Sequence, residues 1–313
     1  MLALAASVDS ACAQGYPVKS VRIITPFPAG GGIDVVARII AAELGARLGQ
    51  PFVVDNRSGA GGVVAAELAA KAPPDGYTLF LATIGTQSIN PFMYSKLGYD
   101  PALDFRPITL FGEVPNVLAV HPSLPVKNVK ELIAFARARP GQLSFASSGL
   151  GTTPHLSGEL FRRQAKLELL HVPYKGGNLA FQDLLGGYVT MMFTNAPTLV
   201  PFVRSGRVKV LAVTSSKRIG ALPDVPTLDE AGLPGFDVRS WSGLMAPSAT
   251  PPEIVNRLHG VLAKALEGGE VRDKLVAQGM EIVAAGPDAF ARIIARDTAI
   301  WGPLIKELGL KLQ

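Results

Sequence analysis

Residues 21–49 read VRIITPFPAGGGIDVVARIIAAELGARLG, and the order of segments within them decides the fold class. Val21 to Thr25 is a short apolar run with the length of a buried strand. Pro26 to Gly32 is a loop that needs a bare backbone, and Ile33 to Leu48 carries apolar residues at helical spacing. A strand, a glycine loop and a helix start in succession leave several backbone N–H groups unpaired and pointing one way. The aligned peptide dipoles add about half a positive charge there. Such a junction is a site for an anion.

The same order returns at residues 52–70 (FVVDNRSGAGGVVAAELAA), 143–161 (LSFASSGLGTTPHLSGELF), 169–185 (LLHVPYKGGNLAFQDLL) and 189–206 (VTMMFTNAPTLVPFVRSG). One such loop alone is equally explained by glycines that let a helix pack close to a strand. Repetition along one chain predicts something more, loops that converge on one crevice and hold a small acid through main-chain donors, with few charged side chains involved.

The length of 313 residues exceeds what one small domain needs and predicts two lobes of shared α/β architecture. A strand is expected from Tyr77 to Ala82, after a Pro/Asp/Gly turn. Beyond Phe105 the pattern predicts a strand near Asn116 to Val120 and then a helix capped by Asn128. Asn116 to His121 is the expected first crossing into a second lobe, and Val238 to Met245 the return strand. Helices over Pro252 to Leu266, Glu270 to Gln278 and Asp288 to Leu308 are expected to pack back on the first lobe. The boundaries that follow are residues 14–117 plus 240–313 for lobe 1 and 118–239 for lobe 2. A lobe inserted through two strands can close on its partner as a hinge while the cleft keeps its register.

Composition narrows the class. Gly, Pro and charges interrupt every apolar run short of the roughly 18 residues of a membrane span. MLALAASV followed by Ala11-Cys12-Ala13 resembles an export signal, with cleavage expected after Ala13, although no Lys or Arg precedes the apolar stretch and Asp9 shortens it. The single cysteine, Cys12, would leave with that segment, which removes disulfides, thiolate metal sites and cysteine nucleophiles from consideration. The net charge of +5 is spread over many helices, with no basic block and no interleaved aromatics, so no nucleic-acid partner is expected.

The stretches YPVKSVRIITPFPAGGGIDVVAR, VVDNRSGAGG, PPDGYTL, SSGLGTTPH, VPYKGG and VLAVTSSKR…LPDVPTLDEAGLPGF closely resemble, in order and spacing, the Bug (TctC) family. These are the extracytoplasmic solute receptors of tripartite tricarboxylate transporters. The resemblance implies a type II periplasmic-binding-protein fold: two α/β lobes joined by two hinge strands, with the ligand cleft between them. It also implies a small carboxylate ligand, no cofactor, a periplasmic location and delivery to membrane transporter subunits. A monomer is expected.

In that family the ligand's carboxylate is typically held by main-chain amides and ordered water. Carried over by position, the first-lobe contacts are Phe27, Ala29, Gly30 and Gly31, with Asp34 setting the helix start. Ala60, Gly61 and the loop from Thr83 to Thr86 line the same wall. The second lobe offers Ser147, Ser148, Gly149, Gly151, Thr152 and Thr153. Tyr174, Lys175, Gly176 and Asn195 complete the set. Thr194 stands where many relatives carry an acidic residue, which argues against a ligand that needs a carboxylate partner for an ammonium. Helix capping alone would explain one or two of the Ser and Thr hydroxyls, and Trp241 on the return strand faces either the cleft or the core.

Two enzyme classes are the alternatives. A nucleotide-binding enzyme shares the strand, glycine loop and helix, but TPFPAGGGID lacks G-x-G-x-x-G and no G-x-x-x-x-G-K-[ST] occurs. A serine-dependent hydrolase would use Ser147 or Ser148 with His155, but residues 145–149 (FASSG) lack the first glycine of a nucleophile elbow. His121, His155, His171 and His259 are scattered, without H-E-x-x-H, and predict no metal site.

Overall fold

The computed structural model describes residues 15–203 and 205–312. The expected export signal lies outside the described residues. The opening junction forms as expected. β1 (Val21–Thr25) is buried almost throughout, which is why its run is continuously apolar. It pairs in parallel with β2 (Phe52–Asn56) and β3 (Thr78–Thr83). α1 (Gly32–Leu48) stops at Gly49, whose left-handed φ of 72° lets its N–H reach the Gly45 carbonyl. A single 3-10 turn, Ala60–Gly62, leads into α2 (Val63–Ala70), and a π-helical turn, Gly85–Ile89, leads from β3 into α3 (Asn90–Met93).

The first crossing is longer than the sequence pattern suggests. The strand expected near Asn116 to Val120 is the last third of β4 (Phe105–Val120), 16 residues that belong to both lobes. Pro107, Gly112 and Pro115 break the apolar pattern. The strand survives them because its register against β9 (Arg239–Pro247) shifts twice, between Pro107 and Thr109 and between Leu110 and Gly112. Past Asn116, β4 pairs instead with β7 (Met191–Asn195) and β8 (Lys209–Val213). The chain returns at Val238, whose N–H donates to the Thr214 carbonyl at 2.9 Å before β9 begins.

Lobe 2 is built on the remaining three junctions. α4 (Val129–Arg137) starts where expected, with the Asn128 side chain accepting from the Glu131 N–H and the Glu131 carboxylate accepting back from the Lys127 N–H. β5 (Leu143–Ser147), α5 (Thr153–Gln164), β6 (Leu169–Pro173), α6 (Gly177–Leu185), β7 and α7 (Ala196–Val203) follow in turn. The strand order across the molecule is β2-β1-β3-β9-β4-β7-β5-β6, with β8 and β10 (Glu281–Ala285) also on β4. The three last helices, α8 (Pro252–Glu267), α9 (Glu270–Ala277) and α10 (Pro287–Glu307), agree with expectation to within a residue or two at each end. α8 covers α1 and β4, and α10 covers β4 and the π-helical turn. One apolar core, with Phe80, Trp241 and Phe290 at one end and Phe145, Phe161 and Phe193 at the other, runs through the crossing without a break.

Candidate functional site

The parallel strands of each lobe end facing the other lobe. Thr83 ends β3 opposite Ser242 of β9, Val114 of β4 lies opposite Ser240, and Asn195 ends β7 opposite Asn116. These strand ends form a continuous floor, the position at which open α/β sheets hold ligands. Above it lies a cavity of about 340 Å3 lined by both lobes.

Helix starts form its walls. Gly31 is the cap residue of α1 and Gly176 that of α6, so neither helix has a side-chain cap. Gly31, Gly32, Gly176 and Gly177 all line the cavity, so first-turn N–H groups from two helices meet there without intrahelical partners. α5 differs, because the Thr152 hydroxyl caps it by accepting from the His155 N–H. Two further donors are conspicuous. Thr153, at the start of α5, and Ser242, on the floor, are almost fully buried, line the cavity and have hydroxyls with no partner among the described residues. A buried hydroxyl left unpaired costs about 1–3 kcal/mol, so an acceptor seated in the cavity recovers that cost. Lys175, exposed, is the only charged residue on the lining among the described residues.

Twelve of the expected residues line the cavity: Phe27, Ala29, Gly31, Gly61, Thr83, Ser148, Gly151, Thr152, Thr153, Lys175, Gly176 and Asn195. The other seven stand behind it. The Gly30 N–H donates to Asp34 at 2.9 Å, and its carbonyl accepts from the Asn178 side chain across the cleft at 3.2 Å. Asp34 does not line the cavity, and its carboxylate also accepts from Arg38 and Asn56, each at 2.9 Å. Asn56 in turn donates to the Phe27 carbonyl at 2.9 Å, which fastens the loop to β2. Burial alone would raise the Asp34 carboxyl, but the hydrogen bonds from Arg38, Gly30 and Asn56 hold it below the ordinary carboxylate value. Ala60 starts the 3-10 turn at a positive φ of 47°. The Thr86 hydroxyl is spent locally, accepting from the Thr83 N–H and donating to the Thr83 carbonyl.

Ser147, Gly149 and Tyr174 likewise support the second-lobe loop from beneath. Ser147 is fully buried; its Oγ lies 2.7 Å from Nε2 of His171 and accepts from the Gly149 N–H at 3.2 Å. Gly149 takes a φ of +132°, and a Cβ there would stand 2.9 Å from the Tyr174 carbonyl. Tyr174 donates its hydroxyl to Asp183 at 2.6 Å, and burial with that carboxylate pushes the phenol up to about 12. His171 stacks between His155 and Phe145, at centroid distances of 4.3 and 4.7 Å. Burial lowers His171 to about 4; burial, then the charges of His171 and Arg162, lower His155 to about 3. The short contact between Ser147 and His171 has the look of a nucleophile and base. Yet Ser147 does not reach the cavity, and among the described residues neither imidazole bonds a carboxylate.

Other lining residues lie outside the set expected as contacts, and of these the sequence raises only Trp241, as cleft or core. Trp241 proves to be both wall and core, lining the cavity while its indole N–H donates to Asp297 of α10 at 2.7 Å. Ser240 and Ser242 alternate with it, and small polar residues in an otherwise buried strand were a usable clue. Asn178 and Thr198 sit one or two residues past the helix starts. Gln278 and Met280 come from the distant α9–β10 loop and leave no local signature. The lobes also touch around the cavity: a Cβ at Gly61 would stand 2.8 Å from the Leu150 carbonyl, and Arg163 of α5 pairs with Glu307 of α10.

Two α/β lobes joined by β4 and the return into β9, with helix starts from both converging on the cavity between them, define a binding protein of the type II periplasmic class. The profile of the "Tripartite tricarboxylate transporter family receptor" (TctC) matches residues 36–310, and the chain belongs to that family. It is 38% identical over 302 residues to "Protein BugT" of Bordetella pertussis, spanning 96% of this chain and 93% of that protein. Among solved structures, "R. palustris Rpa4515 with adipate" is 41% identical with a TM-score of 0.92, covering 95% of this chain and all of that one. "MatC (Rpa3494) from Rhodopseudomonas palustris with bound malate" is 36% identical with a TM-score of 0.87, covering 93% of this chain and all of that one.

Proposed function

We propose that this chain is the exported receptor of a tripartite tricarboxylate-type transporter and that it closes on the carboxylate of a small organic acid. The observation that carries this reading is the meeting of uncapped helix starts, at Gly31 and Gly176, with the unpartnered hydroxyls of Thr153 and Ser242. Such donors favour an anion without needing a cation. The adipate and malate in the two relatives are acids of that kind. The expected contacts are the lining residues, with Gly30, Asp34, Ala60, Thr86, Ser147, Gly149 and Tyr174 holding them in place. The receptor works as a monomer in the periplasm, without a catalytic step, after loss of a leader ending near Ala13. Its lobes are residues 14–117 with 240–313, and 118–239, and the closed form is what the membrane subunits recognise.

The test is a thermal-shift and calorimetric panel of mono-, di- and tricarboxylates, each beside its matching amide. A ligand at 100 times its Kd adds about 2.7 kcal/mol of stability, a clear rise in midpoint. Acids that bind while their amides do not support the reading. Amides that bind as tightly as their acids would overturn it, as would the absence of any acid that binds after unfolding and refolding.

A further inference from the structure

One side chain borders both the cleft and a second hollow. Met280, in the loop between α9 and β10, lines the cleft and also lines a second, wider hollow of about 810 Å3. That hollow lies between the lobes too, with Val200, Ile219 and Ala221 from lobe 2 and Val276, Ala277 and Ile282 from lobe 1. Met280 is buried in the lobe 1 core together with Val36 and Val114, which also line the cleft. Gly112 of β4 lies against this loop, since a Cβ there would meet the Glu281 carbonyl and stand 2.7 Å from Met280 Cγ. Met280 shares the cleft lining with the apolar Ile33, Val36 and Val114, and it shares the second hollow with mostly apolar residues beside the charged Arg272 and Glu281. Methionine is unbranched and flexible, so removing it joins the two spaces without demanding that the backbone move.

We propose that Met280 is the end wall of the cleft and fixes the length of the acid that the receptor accepts. This rests on the carboxylate reading above. The carboxylate is held at the helix starts, and the rest of the molecule extends toward Met280 until the thioether stops it.

The experiment uses two homologous series, straight-chain monoacids and α,ω-diacids of four to ten carbons, titrated calorimetrically into the wild-type protein, Met280→Ala and Met280→Phe. For monoacids each methylene that enters the cleft should add about fourfold in affinity, the equivalent of ~0.8 kcal/mol per buried CH2, up to a break in the series. Met280→Ala should move the break at least two carbons longer while the shortest acid that binds keeps its affinity within threefold. Met280→Phe should move it shorter, so either variant decides the matter if only one folds. Adding Ala277→Trp to Met280→Ala narrows the second hollow and should bring the break part of the way back. A break that stays in place in a folded variant, with short acids bound as before, overturns the role of Met280 and leaves the carboxylate reading intact. Failure of the wild-type protein to bind any member of either series overturns the role of Met280, and the carboxylate reading falls with it only if no acid of the wider panel binds.

Discussion

The two glycine loops at the cavity, PFPAGGG in lobe 1 and SSGLGTT in lobe 2, each follow a buried strand and precede a helix start, yet opposite chemistry holds them. The first is buckled by charge: Asp34 takes hydrogen bonds from Gly30, Arg38 and Asn56, and Asn56 grips the Phe27 carbonyl. The second is propped by uncharged rings, with Ser147 on His171, His171 on His155 and the Gly151 N–H directed at His155. A glycine loop has no shape of its own. Its neighbours supply one, and they set the condition under which that shape fails.

The largest contrast should appear on acidification. Both histidines are held below their ordinary value, so between about pH 6.5 and pH 4 the unfolded chain binds protons that the folded chain refuses. Stability should therefore fall as pH drops through that window, by up to about 1.4 kcal/mol per pH unit for each ring. Urea unfolding from pH 7 to pH 4 measures the slope, and a His155→Leu/His171→Phe double variant should flatten it. Asp34 works lower: its carboxyl is depressed, so its contribution is present above about pH 4 and is lost below. Asp34→Asn should thus leave the slope above pH 4 unchanged.

Asp34→Ala comes next, because it removes the shared acceptor of the Asn56 amide, the Gly30 N–H and the exposed Arg38. A loss of about 2 kcal/mol in urea unfolding is expected, together with weaker binding. Gly149→Val forces a β-branched residue to a φ of +132° and against the Tyr174 carbonyl, so about 1–3 kcal/mol of strain and at least tenfold weaker acid binding should follow. Asn178→Ala removes only the contact to Gly30 across the cleft lip, and a two- to fivefold faster dissociation by stopped flow is the expected size. Lys175→Ala should matter least, changing affinity less than threefold at 0.15 M salt, since the side chain is exposed and well screened. A larger fall would mean that charge, and not the main chain, holds the acid.

Much of this was legible beforehand, because each strand-loop-helix junction is encoded within about twenty consecutive residues. Val21–Thr25 is an observed strand with the expected ends, and Asn128 caps its helix as expected. What stayed hidden depends on contacts remote in sequence. β4 could not be read whole, because tolerance of Pro107, Gly112 and Pro115 comes from register shifts against β9, more than a hundred residues away. The seven expected residues that missed the cavity were chosen by position within a motif, and a motif does not say which side of the loop a group faces. Ser147 and Ser148 are adjacent, yet one meets an imidazole and the other the cleft. Met280 carried no local cue at all.

Trp241 gives the molecule an optical consequence. The chain has two tryptophans, Trp241 and Trp301. Trp241 lies on the return strand and touches the cleft, with its ring edge-on to Phe290 at 5.2 Å and its N–H held by Asp297. A Trp301→Phe protein would therefore emit from one indole alone, seated where the lobes meet. Its emission should respond to each acid that enters, which makes the receptor a label-free fluorescent sensor of its own occupancy.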